Sequence, residues 1–163
     1  MPYLLDTNIL IESKLRTPFD VFPSFWKKLK AEILAGNVYT SEKVKNEILR
    51  GNDGDELVDW INTLPDSFFV DLDASVMVEY ASVINYVNAN QNYLAPAKSE
   101  FASADIADAF LIATASAKGM FLVTNETSEP QRRNRVKIPD VAFAKNVTCC
   151  SLLDMLRDLH MSI

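Results

Sequence analysis

Tyr3-Leu4-Leu5-Asp6-Thr7-Asn8-Ile9-Leu10 constrains this chain more than any other stretch. An apolar run of strand length is followed at once by a carboxylate, a hydroxyl and an amide, and then by an apolar restart in helical phase. An acid therefore stands where a strand ends. In open α/β sheets that is where ligands bind, because strand ends and helix N-termini converge there. Asp6 or Asn8 acting only as a helix cap is the plain alternative, and the downstream sequence has to decide between the two.

Downstream, strand-like and helix-like segments alternate. Ser24 reads as the cap of a helix through Leu34 that Gly36 stops, with Phe25, Trp26, Leu29, Ile33 and Leu34 on one stripe. Val38-Tyr39-Thr40 is β-prone, and Ser41 caps a helix from Glu42 to Arg50. A polar Asn52-Asp53-Gly54-Asp55 turn leads into a helix from Glu56 to Ile61, and Phe68-Phe69-Val70 forms a third strand. Val76, Met77, Tyr80, Val83, Ile84 and Val87 recur at helical spacing. Asn88 to Lys98, polar and containing a proline, reads as a surface excursion.

Residues 104 to 118 are apolar nearly all round apart from two acids, which predicts a central buried helix ended by Gly119. Met120-Phe121-Leu122-Val123-Thr124 is a buried strand, Asn125 to Lys137 a polar loop, Val147-Thr148-Cys149-Cys150 a last strand, and Ser151 the cap of a closing helix through Leu159. The expected fold is α/β: a single domain over residues 1–163 with a central parallel sheet and helices on both faces. At 163 residues and 48% hydrophobic content, one core is the natural division.

Charge and cysteine use narrow the function. A net charge of −6 argues against a surface that grips nucleic acid everywhere, though it leaves room for a local basic patch. The adjacent Cys149 and Cys150 cannot close an ordinary disulfide loop, and no stretch approaches the length of a membrane span. These features predict a soluble cytoplasmic protein.

Four acids share one pattern. Asp6 and Glu126 follow apolar strands, while Glu47 and Asp108 lie on the inward stripes of their helices, and Asp105 shares the stripe of Asp108. The single histidine, His160, is near the chain end, so histidine base catalysis is not expected. Clustered carboxylates repel one another unless a hard cation joins them, and oxygen donors favour Mg²⁺ or Mn²⁺. Zinc lacks its usual cysteine and histidine ligands here. Such a site suits phosphodiester hydrolysis. A phosphatase of the haloacid dehalogenase class also begins with a strand-end aspartate, but needs a second one where Asn8 stands.

Leu4-Leu5-Asp6-Thr7-Asn8-Ile9-Leu10 resembles the opening motif of PIN domains, Glu47 their helix acid, Asp108-Ala109-Phe110-Leu111-Ile112-Ala113-Thr114-Ala115 their central helix, and Val123-Thr124-Asn125-Glu126 their fourth motif. Val136-Lys137-Ile138-Pro139-Asp140-Val141 is similar to a PIN-like subfamily of stand-alone prokaryotic proteins. The resemblance extends to VapC-type toxins, and it implies a Mg²⁺- or Mn²⁺-dependent ribonuclease. It makes Asp6, Glu47, Asp108 and Glu126 catalytic metal ligands, Asp105 a secondary one, and Thr7, Asn8 and Asn125 residues that orient carboxylates or metal waters. Arg132, Arg133, Arg135 and Lys137 would clamp RNA phosphates.

The same resemblance implies a small DNA-binding antitoxin as partner, with its tail in the site, and a homodimer. After Glu126 the acid-plus-phenylalanine pair usual in those toxins is absent. A non-catalytic PIN-like module that holds a protein in its acidic cleft is the competing expectation.

Overall fold

The computed structural model describes residues 1–51 and 55–163, so Asn52 to Gly54 of the expected turn lie outside the described residues. Five parallel strands form one sheet in the order β3-β2-β1-β4-β5: β1 (Tyr3–Leu5), β2 (Val38–Ser41), β3 (Phe69–Val70), β4 (Phe121–Val123) and β5 (Cys149–Cys150). Central strands in such a sheet are covered on both faces, which is why β1 is apolar at every position and wholly buried. The chain builds outward from β1 through β2 to β3, then returns to place β4 on the other side. The strand order therefore reverses between β1 and β4, and the carboxyl ends of these two strands flank the crevice where ligands of such sheets bind.

Nine helices occur among the described residues: α1 (Thr7–Arg16), α2 (Pro23–Leu34), α3 (Glu42–Leu49), α4 (Glu56–Ile61), α5 (Ala74–Ala89), α6 (Ala95–Phe101), α7 (Asp108–Lys118), α8 (Ile138–Ala144) and α9 (Leu152–Asp158). Helix α7 is the core helix. Its residues Ala109 to Ala115 are all buried, it packs along α5, and Gly119 ends it in the left-handed conformation at φ 67°. Ser41 caps α3 through Lys43 N, and Ser151 forms a capping box with Asp154 at α9.

Several expected boundaries move. The helix expected over residues 104 to 118 begins only at Asp108, because Ser103 to Ala107 form turns, with Ile106 N donating to Ser103 O at 3.1 Å. Residues 95 to 98 of the expected excursion open a helix that runs to Phe101, and residues 138 to 144, for which no element is expected, form another: α6 and α8 each carry a proline in the first turn, where the missing N–H costs nothing. Helix α2 likewise starts on Pro23, with Phe22 rather than Ser24 at the cap position. Phe68 belongs to a short 3-10 turn, not to β3.

Both cysteines are free. Among the described residues, no helix is long and apolar enough to cross a membrane.

Candidate functional site

Asp6 follows β1 directly, and its backbone amide donates to Val123 O at 3.0 Å, so the ends of β1 and β4 are held together at the crevice. The Asp6 side chain is buried. Its Oδ2 accepts from the Thr124 hydroxyl at 3.0 Å, and the Asn8 backbone amide adds a second hydrogen bond. Thr124 Oγ1 also accepts from Glu126 N at 3.1 Å, which curls the chain after β4 and brings Glu126 back over the strand end.

Glu126 has a side chain only 9% exposed, with its two oxygens in different situations. Oε1 faces Arg135 Nη2 at 3.5 Å and Lys137 Nζ at 3.8 Å, whereas Oε2 is buried with no hydrogen-bond partner. An unpartnered buried carboxylate oxygen is costly and marks a place for a ligand.

Two helices bring the other acids. Helix α7 has no side-chain cap of its own, and Glu47 from α3 supplies one: its Oε1 accepts from Ala107 N at 2.6 Å. Asp108 stands in the first turn of α7, where the helix dipole favours an anion. It lines a small cleft of about 250 Å³ with Ala97, Glu100, Phe101, Ile106, Arg135 and Val136, so the unexpected helix α6 forms one wall.

These four carboxyls lie within one electrostatic field. Burial pushes the Asp6 carboxyl up to about 7, with Glu126 and then Glu47 adding to the rise, while the Thr124 hydrogen bond opposes it. Burial pushes Asp108 up to about 7 as well, followed by the charges of Asp6, Glu126 and Glu47, with Arg135 opposing. Among the described residues, no three His, Cys, Asp or Glu side chains stand as a ready-made metal cage. The donor set nonetheless fits a hard cation: it is all oxygen, mutually repelling and partly unpartnered.

The remaining expected residues separate. Asp105 is exposed and sits before α7, 3.8 Å from Arg50, away from the inward stripe expected for it. Thr7 is buried with its hydroxyl unpartnered, and the Asn8 side chain is exposed. Asn125 turns away toward Glu12 and the amide of Leu152. The hydroxyl that positions Asp6 is that of Thr124, to which the fourth motif assigns no role; its signal in the sequence is a hydroxyl ending a strand beside a strand-end acid.

In the basic loop, Arg135 and Lys137 face Glu126, but Arg132 bonds Glu129 and Asn134, and Arg133 Nε donates to Asn92 O at 3.1 Å. The loop is therefore fixed against the turn that follows α5.

The family model described as Domain of unknown function (DUF4411) matches residues 3–163. The chain belongs to the DUF4411 family. No curated protein matches it. Among solved structures, this DUF4411 chain is similar to VapBC2 from Rickettsia felis, crystallised bound to a DNA fragment from their promoter. The TM-score is 0.54 at 16% identity, covering 93% of this chain and 98% of that one. At that identity the fold is what is shared: an α/β architecture with a central parallel sheet.

Proposed function

We propose that this protein is a metal-dependent ribonuclease, the toxin of a type II toxin–antitoxin pair. What supports the reading is that Asp6 and Glu126, after β1 and β4, lie within electrostatic reach of Glu47 on α3 and Asp108 on α7, with Glu126 Oε2 buried and unpartnered. Those four residues would hold Mg²⁺ or Mn²⁺. Such a cation, when bound, supplies Lewis acidity that activates water and offsets charge on a leaving oxygen.

The chain's own residues do the rest. Thr124 fixes the orientation of Asp6, and Glu47 ties α3 to the start of α7. Helix α6 and the loop through Val136 wall the cleft against bulk water. Arg132 and Arg133 are exposed, and they would meet phosphates of a bound strand by giving up surface bonds to Glu129, Asn134 and Asn92. With a net charge of −6, substrate attraction has to come from such local groups.

A free ribonuclease would damage its host, and the fold is shared with a VapBC2 structure. The expected partner is therefore a small DNA-binding antitoxin acting on a cytoplasmic toxin. Expression in bacterial cells tests this. The wild type alone should slow growth, Asp6→Asn should not, and a gene adjacent to the native one should restore growth and co-purify. Free growth with the soluble wild type expressed alone would reject the toxin reading.

A further inference from the structure

The acid cluster carries built-in counter-charge. Arg135 Nη2 and Lys137 Nζ face Glu126 Oε1 at 3.5 and 3.8 Å, and Arg135 also lines the cleft with Asp108. Lys137 is not a loose surface group, and the more exposed Arg135 is anchored beside it. Val136 between them is buried, and Lys137 is the cap residue of α8 with a side chain only 13% exposed. Once cation binding has ionised all four carboxyls, the two cations leave two negative charges, the amount one divalent ion neutralises. A second divalent ion would make the site net positive by two.

The carboxylate oxygens lead to the same count. Glu126 Oε1 is occupied by the two cations, Glu47 Oε1 by the amide of Ala107, and Asp6 Oδ2 by the hydroxyl of Thr124. Each of these three acids has one oxygen already engaged within the chain, while neither oxygen of Asp108 accepts a side-chain hydrogen bond among the described residues. For Glu126 the other oxygen is buried and unpartnered. Hydrogen bonds already made by three of the four acids leave fewer lone pairs with which to bridge a second ion.

We propose that Arg135 and Lys137 limit the DUF4411 site to one divalent ion, standing by charge where a second ion would otherwise be needed. The inference rests on the metal-dependent reading above. Mn²⁺ titrated into the full chain, followed by calorimetry and electron paramagnetic resonance, tests it. The wild type should take one ion per chain. Arg135→Gln with Lys137→Gln should take two, with the spectrum of a coupled pair and a first ion bound at least about tenfold tighter, since two nearby positive charges are gone.

Arg135→Gln alone, at a side chain 45% exposed, guards against a double variant that fails to fold. It should tighten Mn²⁺ several-fold, while Arg135→Lys should match the wild type. Two ions in the wild type, or wild-type affinity and stoichiometry in the charge-removed variants, overturn the inference. If the wild type cleaves RNA with two ions bound, this inference fails and the nuclease reading stands. If it binds one ion and cleaves nothing, the converse holds. No Mn²⁺ binding at all overturns both.

Discussion

Thr124 donates its hydroxyl to Asp6 Oδ2 at 3.0 Å, across the junction between β4 and β1. Thr124 Oγ1 itself accepts from Glu126 N, so one side chain orients one acid and folds the backbone that carries another. Thr124→Val keeps the shape and removes both bonds, leaving a buried carboxylate oxygen without its donor. The expected cost is about 1–3 kcal/mol, read by thermal or denaturant unfolding. Mn²⁺ affinity should fall with it, and Thr124→Ser should restore both. Unchanged stability and affinity in Thr124→Val would remove the hydroxyl from the positioning role.

Stability of the cation-free protein should depend on pH with a definite sign. Asp6 and Asp108 are both pushed up to about 7, chiefly by burial and then by neighbouring carboxylates. A raised folded-state value means that the folded chain holds protons the unfolded chain has already released. The stabilisation from these groups is complete below the ordinary aspartate range and is lost as pH rises from about 4 to about 7. Asp108→Asn should flatten this fall and raise the melting temperature near pH 8 by about 3–8 °C, since an uncharged amide replaces a repelled carboxylate. A lower melting temperature at that pH would contradict the assignment.

The basic loop divides into two halves with different contacts. Arg132 and Arg133 are exposed, whereas Arg135 and Lys137 face Glu126. Replacing Arg132 and Arg133 by Gln should weaken single-stranded RNA binding and reduce the salt slope by about 0.7 for each lost phosphate contact. Mn²⁺ binding should be unaffected. Fluorescence anisotropy over a salt series measures the first effect, and an unchanged slope would place the RNA path elsewhere.

Much of this arrangement is legible in the sequence where apolar patterning speaks for it. Buried strands announce themselves as continuous apolar runs, so the pattern alone places the acids that follow them, Asp6 and Glu126, at strand ends. Glu47 and Asp108 are legible because they interrupt inward helical stripes. Prolines hide what is missed: Pro23, Pro96 and Pro139 each stand in a first helical turn, and of those helices α6 begins inside the expected excursion while α8 falls where no element is expected.

The start of α7 is hidden for another reason. Glu47 bonds the amide of Ala107 across sixty residues, and a cap supplied from so far away leaves no local signal. Extending the helix one turn too far carries Asp105 inward, when Arg50 holds it at the surface. Asn125 and Thr124 show the limit of motif reading: both neighbour the acid, and only the direction of each side chain tells which one serves it.

The central claim is cation-dependent RNA cleavage by the four acids. The most direct measurement incubates the purified protein with single-stranded RNA in Mg²⁺ or Mn²⁺, beside a chelated control and the Asp108→Asn variant with its fold checked by melting. The account predicts cleavage with the cation, none after chelation, and a loss of at least about 100-fold in the folded variant. Intact RNA with wild type and either ion, or a folded Asp108→Asn protein cleaving at the wild-type rate, would contradict it.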